Sequence, residues 1–386
     1  MDFSLTDTHT MIRETARKFA EERIAPGTIE RDEKEEFPAG IVKELGELGF
    51  MGMMVPEEWS GSGLDTTSYV LALEEISRVD ASVGVIMSVN NSLVCYGINR
   101  DGSKEQKEKY LRSLASGKTL GAFALSEPEA GSDASNQHTV ATRDGDCYIL
   151  NGTKNWITNG STADVVLVMA ATDREKGPKG ISTFIVEKGA PGFSVAKKER
   201  KLGIRSSDTV SLSFQDCRVP AANRVGPEGE GFRFAMRTLE GGRIGIAAQA
   251  LGIAQACMDA SVHYAKERKA FDRPIAELQA IQFKIADMAT NIGAARMLML
   301  KAAALKDKGE QFGAEAAMAK LFASKTAVES ALEAIQIHGG YGYVREYLVE
   351  RYLRDAKITE IYEGTSEIQR IVIARSLLKS RDAEHG

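Results

Sequence analysis

Four segments of the 386-residue chain carry residue types and spacings that suit chemistry. In Ile361-Tyr362-Glu363-Gly364-Thr365-Ser366-Glu367-Ile368-Gln369-Arg370, a carboxylate stands directly before a glycine and a threonine. Thr365 reads as a helix N-cap, with Ile368 and Ile371 opening the apolar stripe behind it. Glu363 then sits on a loop at the mouth of that helix, and a loop-borne carboxylate in a cleft can serve as a general base. A second segment, Phe123-Ala124-Leu125-Ser126-Glu127-Pro128-Glu129-Ala130-Gly131-Ser132-Asp133, runs a strand into a turn rich in hydroxyls and free N–H groups. Such a turn can hydrogen-bond a planar heterocycle or an anion. In the third, Asn155–Gly160, Trp156 offers a ring to stack and Thr158 a hydroxyl. The fourth, Glu267–Phe271 with Gln279, offers Arg268 as a planar donor fork for a phosphate. Taken singly, the last three have plainer readings: a connection, a core tryptophan and a solvated helix end.

The elements that must position these residues fall into three blocks. Residues 1–120 read as helical. Thr6–Ile24 is amphipathic, with Met11, Ile12, Ala16, Phe19 and Ala20 at helical spacing and Pro26-Gly27 as its stop. Ile41–Leu48, Thr66–Ser77, Ser82–Ile98 and Lys104–Leu114 follow. Residues 121–230 change period. Val210, Leu212 and Phe214 alternate with polar neighbours, Val165–Ala171 and Ile181–Val186 are apolar runs of strand length, and Asp144-Gly145, Asn151-Gly152, Asn159-Gly160 and Gly177-Pro178 are turn signals between strands. Short strands without intervening helices predict an antiparallel barrel or sandwich. Residues 231–386 return to long helices, Gly231–Glu267, Ile275–Lys306 and Ala314–His338. The expected fold is mainly α with a central antiparallel β domain.

Composition excludes several classes. Hydrophobic residues make up 43% and charged residues 27%, an ordinary globular balance. A net charge of −5 is a poor footprint for nucleic acid. Cys95, Cys147, Cys217 and Cys257 show no C-x-x-C spacing, so reduced thiols are expected rather than a zinc or redox site. The uncharged stretch Ala81–Asn99 carries Asn90 and Asn91, which favours a buried helix over a membrane span. The sequence from Met1 to Asp7 lacks the basic and apolar regions of a secretory signal, and a removed transit peptide would leave no trace. A cytoplasmic place, or a mitochondrial matrix one after such removal, is expected. Gly226-Pro227-Glu228-Gly229-Glu230-Gly231 has the wrong spacing for a dinucleotide fingerprint, and no Walker A, H-E-x-x-H or G-x-S-x-G sequence occurs.

Together the segments resemble the acyl-CoA dehydrogenase family of flavoproteins, in the same order over nearly the whole chain. Leu125-Ser126-Glu127-Pro128 with Gly131-Ser132-Asp133 is similar to one family signature. Gln336-Ile337-His338-Gly339-Gly340-Tyr341-Gly342 and the stretch from Arg354-Asp355-Ala356 to Tyr362-Glu363-Gly364-Thr365 are similar to the other. Val89-Asn90-Asn91-Ser92-Leu93 and Gly241-Gly242-Arg243-Ile244-Gly245 resemble the short-chain, butyryl-CoA branch. The resemblance implies a helical N-terminal domain, a middle β domain and a C-terminal four-helix bundle, assembled as a homotetramer, a dimer of dimers. It implies FAD contacts at Phe123, Leu125, Ser126, Gly131 and Ser132, with Trp156 and Thr158 flanking the flavin ring. Arg268, Phe271, Gln279, Gln336, Gly339 and Gly340 match positions that reach a neighbouring subunit's FAD, and Thr365 and Glu367 match those beside the adenine end of FAD. Ser132, Glu240, Arg243, Tyr362 and Gly364 match acyl-CoA contacts.

Glu363 matches the catalytic base. Isovaleryl-type members carry theirs just before the arginine matching Arg243, where this chain has Gly242. The implied reaction is α,β-dehydrogenation of a short-chain acyl-CoA to a trans-2-enoyl-CoA, with electrons passed to an electron-transferring flavoprotein. Medium or branched acyl chains are the neighbouring readings. An acyl-CoA oxidase shares the half-reaction but is usually longer, and a flavin-free scaffold is disfavoured by the intact Glu363, Trp156, Thr158 and Arg268.

Overall fold

The computed structural model describes residues 4–383. Helix α1 (Asp7–Phe19) opens with a capping box: the Thr6 hydroxyl accepts the His9 N–H at 3.2 Å, and the His9 ring accepts the Thr6 N–H. Ala16, Phe19 and Ala20 face inward as their spacing predicts, but Met11 is 58% exposed. Five residues before Ala16, it lies about 140° around the helix from the buried stripe. Helices α2 (Thr28–Lys34), α3 (Ala39–Glu47), α4 (Thr66–Val79) and α5 (Ala81–Ser88) follow, and α5 runs through a π-helical segment, Val89–Cys95, into α6 (Tyr96–Asp101). Among the described residues, Ala81–Asp101 is the one helix long and apolar enough to cross a bilayer, and 94% of its most apolar window is buried inside the molecule. Its amides are satisfied there. Asn90 Nδ2 donates to Met51 O and Asn91 Oδ1 accepts the Met53 N–H, both at 2.8 Å. The short helices α7 (Lys104–Gln106) and α8 (Arg112–Ala115) close this block.

Eight strands come next: β1 (Gly121–Ala124), β2 (Val140–Asp144), β3 (Cys147–Thr158), β4 (Val165–Ala171), β5 (Ile181–Glu187), β6 (Phe193–Lys198), β7 (Thr209–Pro220) and β8 (Arg224–Val225). They form one sheet in the order β6-β7-β3-β2-β4-β5-β8, with β1 beside β4. Most pairs are antiparallel, as expected. However, β1 runs parallel to β4, with Phe123 opposite Leu167, and β2 meets β4 in parallel at Val140 and Ala171. The period of two is the same for either direction, so alternation alone does not reveal this. The apolar run in β4 has a direct cause. Val166, Val168 and Ala170 enter a core with Tyr148, Phe184 and Phe214, while Val165, Leu167 and Met169 enter the large helical core. A strand buried on both faces has no polar side to show. Strand β1 divides likewise, so the turn that follows Leu125 leaves a strand clamped between two cores.

Helix α9 (Gly231–Glu267) is the axis of the helical block, buried continuously from Gly241 to Ala254. A helix buried on every side must be surrounded. Helices α4, α10 (Gln279–Asp307) and α11 (Gly313–His338) pack around it, after a two-strand hairpin, β9 (Lys269–Ala270) and β10 (Arg273–Pro274). Helices α12 (Val349–Ile358) and α13 (Ser366–Ala383) end the fold.

Candidate active site

The base candidate stands where α12 hands over to α13. The Thr365 hydroxyl caps α13, accepting the Ile368 N–H at 3.4 Å. Ahead of it the backbone turns left-handed twice, at Glu363 (φ 52°) and Gly364 (φ 93°). A left-handed glutamate is uncommon, and such strain collects at functional sites. Two buried side chains hold the turn. Gln369 Nε2 donates to Gly364 O at 2.8 Å and to Glu363 O at 3.3 Å, and Lys320 Nζ donates to Gly364 O. A Cβ on Gly364 would lie 2.6 Å from Gln369 Nε2. Gly364→Val is therefore expected to displace the carboxylate by about an ångström and lower turnover roughly 100-fold while flavin stays bound. Steady-state rates beside the flavin spectrum check this, and normal turnover would show that the turn tolerates a side chain.

The turn directs the Glu363 carboxylate onto α9. Its Oε2 is buried, has no hydrogen-bond partner among the described residues, and lies 2.1 Å from where a Cβ on Gly242 would stand. Leu93 Cδ2 would be 2.9 Å from the same position. Burial pushes the carboxyl pKa up to about 7, with the positive charges of Lys320 and Arg243 pulling the other way. One turn along α9, a Cβ on Gly245 would meet Tyr69 Oη at 2.7 Å and Ser88 Oγ at 2.8 Å. Those hydroxyls bond each other at 3.0 Å, and Tyr362 Oη donates to Gln249 Oε1. Arg243 is buried, with its Nε unpartnered, and burial lowers its pKa. Glu240 is half-buried against Gly313 at the start of α11.

The second group lies on the sheet. Lys154 Nζ, fully buried, donates to Leu125 O at 3.1 Å, to Glu127 Oε1 at 2.7 Å and to Gln137 Oε1. Burial lowers its pKa to about 8, against the pull of Glu127. This pair holds the turn from Leu125 to Ser132 from beneath, and Ser126 O accepts the Asn155 N–H at 2.9 Å. The register of β3 on β7 breaks between Lys154 and Ile157. On that bulge Trp156 has φ 63° and is 63% exposed, while Ile157 on the next pleat is buried. Ser126 thus lies beside Asn155, next to Trp156, with Gly131 and Ser132 exposed on the turn beyond it, while Thr158 ends β3 opposite Thr209.

The third group is a separate patch, joined to the sheet turn by no hydrogen bond or ring contact among the described residues. Arg268 lies over the Tyr341 ring at 5.6 Å, next to a Tyr264–His338 stack at 4.2 Å. His338 Nδ1 bonds Ala334 O within the last turn of α11. Arg268, Phe271, Gln279, Gln336, Gly339 and Gly340 are all exposed. Phe271 reaches 85% exposure on the tip of the β9–β10 hairpin. Thr365 and Glu367 line a surface groove of about 470 Å³ with Lys325, Lys357 and Arg370.

Sequence reading missed Lys320, Gln369, Tyr69, Ser88 and Lys154. The signal for Lys320 is present in α11, where a lysine replaces one member of the Ala316, Ala319, Ala323, Ala327 stripe.

Three family descriptions match the chain in order: acyl-CoA dehydrogenase N-terminal domain over residues 6–118, middle domain over 122–217 and C-terminal domain over 229–378. The chain belongs to the acyl-CoA dehydrogenase family. It is 54% identical over 376 residues to the mitochondrial short-chain specific acyl-CoA dehydrogenase of Mus musculus, covering 97% of this chain and 91% of that one. The butyryl-CoA dehydrogenase of Megasphaera elsdenii has the same fold, with a TM-score of 0.97 and 49% identity over 98% of this chain and 100% of that one. A chain solved in work on the electron transferring flavoprotein of Acidaminococcus fermentans matches at TM-score 0.97 and 52% identity, with the same coverage. PigA, solved with FAD and proline, matches at TM-score 0.95 and 31% identity over 98% of this chain and 99% of that one. The chain is an enzyme, an acyl-CoA dehydrogenase whose relatives occur in bacteria and in mitochondria.

Proposed function

We propose that this acyl-CoA dehydrogenase converts a short straight-chain acyl-CoA, of butyryl-CoA size, to its trans-2-enoyl-CoA, with Glu363 as the α-proton base. The observation that carries the proposal is the Glu363 carboxyl, whose buried oxygen is unpartnered over Gly242 and whose pKa is raised toward neutrality. A base engaged in a salt bridge is quenched, and one with an ordinary carboxylate pKa is weak at pH 7. The thioester α-hydrogen is itself a weak acid, so a donor must meet the oxygen that gains charge. Among the described residues no acceptor takes the Glu363 N–H, which leaves it available for that oxygen. Arg243, Glu240, Ser132, Tyr362 and Gly364 are the proposed acyl-CoA contacts; the buried guanidinium, with an orphan Nε, has capacity for an anionic or carbonyl partner.

The exposed Trp156 ring, with Thr158 two residues along the strand and Ser126 bonded to Asn155 beside it, fits a flat heterocycle; exposed Gly131 and Ser132 continue that surface, and Phe123 and Leu125, whose side chains are buried, back it from the core. FAD bound there supplies the acceptor for the β-hydrogen as hydride. Exposure of Phe271 and Arg268 supports their burial against another copy, with Gln279, Gln336, Gly339 and Gly340 serving cofactor across the interface of a homotetramer and Thr365 and Glu367 lying beside the adenine end. An electron-transferring flavoprotein is the proposed acceptor, on the strength of the flavoprotein work in which a half-identical chain was solved. Anaerobic butyryl-CoA is expected to bleach the oxidised flavin band of the purified protein. A yellow protein that bleaches only with longer or branched acyl-CoA would move the substrate class, and rapid peroxide release under air would make it an oxidase.

A further inference from the structure

Lys320 is wholly buried in the N-terminal part of α11, on the stripe that Ala316, Ala319, Ala323 and Ala327 share. Burying an ammonium is costly without a partner, and the usual partner is a carboxylate. Among the described residues Lys320 makes no salt bridge within 4.0 Å; its Nζ donates to a backbone carbonyl, that of Gly364, which Gln369 Nε2 also engages. The peptide just after the proposed base is therefore gripped by two side chains from two helices. Its left-handed conformation, at Glu363 and at Gly364, aims the carboxylate at Gly242. A lysine paired with the carboxylate itself would have quenched it. One residue along, the ammonium leaves it unpartnered.

We infer that Lys320 is a positioning residue for the base: its ammonium clamps the Gly364 carbonyl, fixes the left-handed turn, and supplies a through-space positive charge that favours the carboxylate form of Glu363. The inference rests on the reading of Glu363 as the base. The charged and titratable groups facing Glu363 are Lys320 from α11, Arg243 from α9, Tyr69 from α4 and Tyr362 from its own loop. Glu360 and Glu367 also act on Lys320. Each of the two cations favours ionised Glu363, so removing one demands a higher pH before the base is deprotonated.

The test is exchange of the acetyl-CoA methyl protons for deuterium by the holoenzyme, followed by NMR across pH. Acetyl-CoA has no β-hydrogen, so exchange reports proton abstraction alone. Lys320→Gln keeps a donor for Gly364 O but no charge, and its acid limb should move up by about one pH unit with acetyl-CoA affinity unchanged. Lys320→Met keeps neither, and should add a plateau at least about tenfold lower. Wild-type limb and plateau in both variants, with exchange abolished in Glu363→Gln, would overturn the inference and leave the base reading standing. Full exchange in Glu363→Gln would instead remove the base reading, and this inference with it. Failure of both lysine variants to fold and bind flavin would also overturn it, since the ammonium would then be a structural strut.

Discussion

Glu363→Gln is expected to keep its flavin and its acyl-CoA affinity while turnover falls about 10³- to 10⁴-fold. The amide nearly matches the carboxyl in size, and the pocket over Gly242 gives Oε2 no hydrogen bond to lose. What disappears is the proton acceptor alone. Binding of acyl-CoA, followed by its perturbation of the flavin spectrum, should be near normal, and near-normal turnover would take Glu363 out of the base role. The pH dependence follows from the same burial. With a carboxyl pKa of about 7, wild-type kcat/KM should climb through neutrality and fall on the acid side. Stability should run the opposite way. The carboxyl takes its proton up to about pH 7 when folded but ionises near pH 4.5 when unfolded, so folding binds a proton between those values and weakens as pH rises through them. Glu363→Gln has no such proton to bind. Its melting temperature should equal wild type near pH 4 and exceed it at pH 8, the stability–function exchange expected where a charge is buried for chemistry.

Much of this site is legible from local pattern, and the rest depends on contacts across the chain. Thr365 is a cap by type and position, and α9 spans the residues its pattern predicts because a continuous small and apolar run has no exposed side. Ile371 shows where pattern stops. Expected on the apolar stripe of α13, it is 42% exposed, and the inward position is Gln369, which the turn at Glu363 requires as a donor. Lys320 lies 44 residues before the carbonyl it holds, and the Tyr69–Ser88 pair meets α9 at Gly245 from two other helices. Spacing along one element cannot show which polar group awaits it on another. The parallel course of β1 is hidden for the same reason, since direction is decided by where the long connection after Leu125 returns.

Gly242→Ala should cost turnover at least about 100-fold, although alanine in a helix is ordinarily better than glycine by about 1 kcal/mol. The added methyl would stand 2.1 Å from Glu363 Oε2 and 2.9 Å from Leu93 Cδ2. Helix α9 cannot retreat, because it is buried continuously from Gly241 to Ala254 with α4, α10 and α11 packed around it. The glutamate must move instead, and its turn is held by Lys320 and Gln369. Gly40→Ala supplies the contrast. Its Cβ would meet nothing within 4 Å in α3, so it should gain a fraction of a kcal/mol in stability and keep full turnover. Turnover and melting temperature measured on both variants separate the two effects. Wild-type turnover in Gly242→Ala would mean that the working carboxylate does not rest against α9. A loss confined to Gly242→Ala would place the chemistry at the contact between this glycine and the strained loop that faces it.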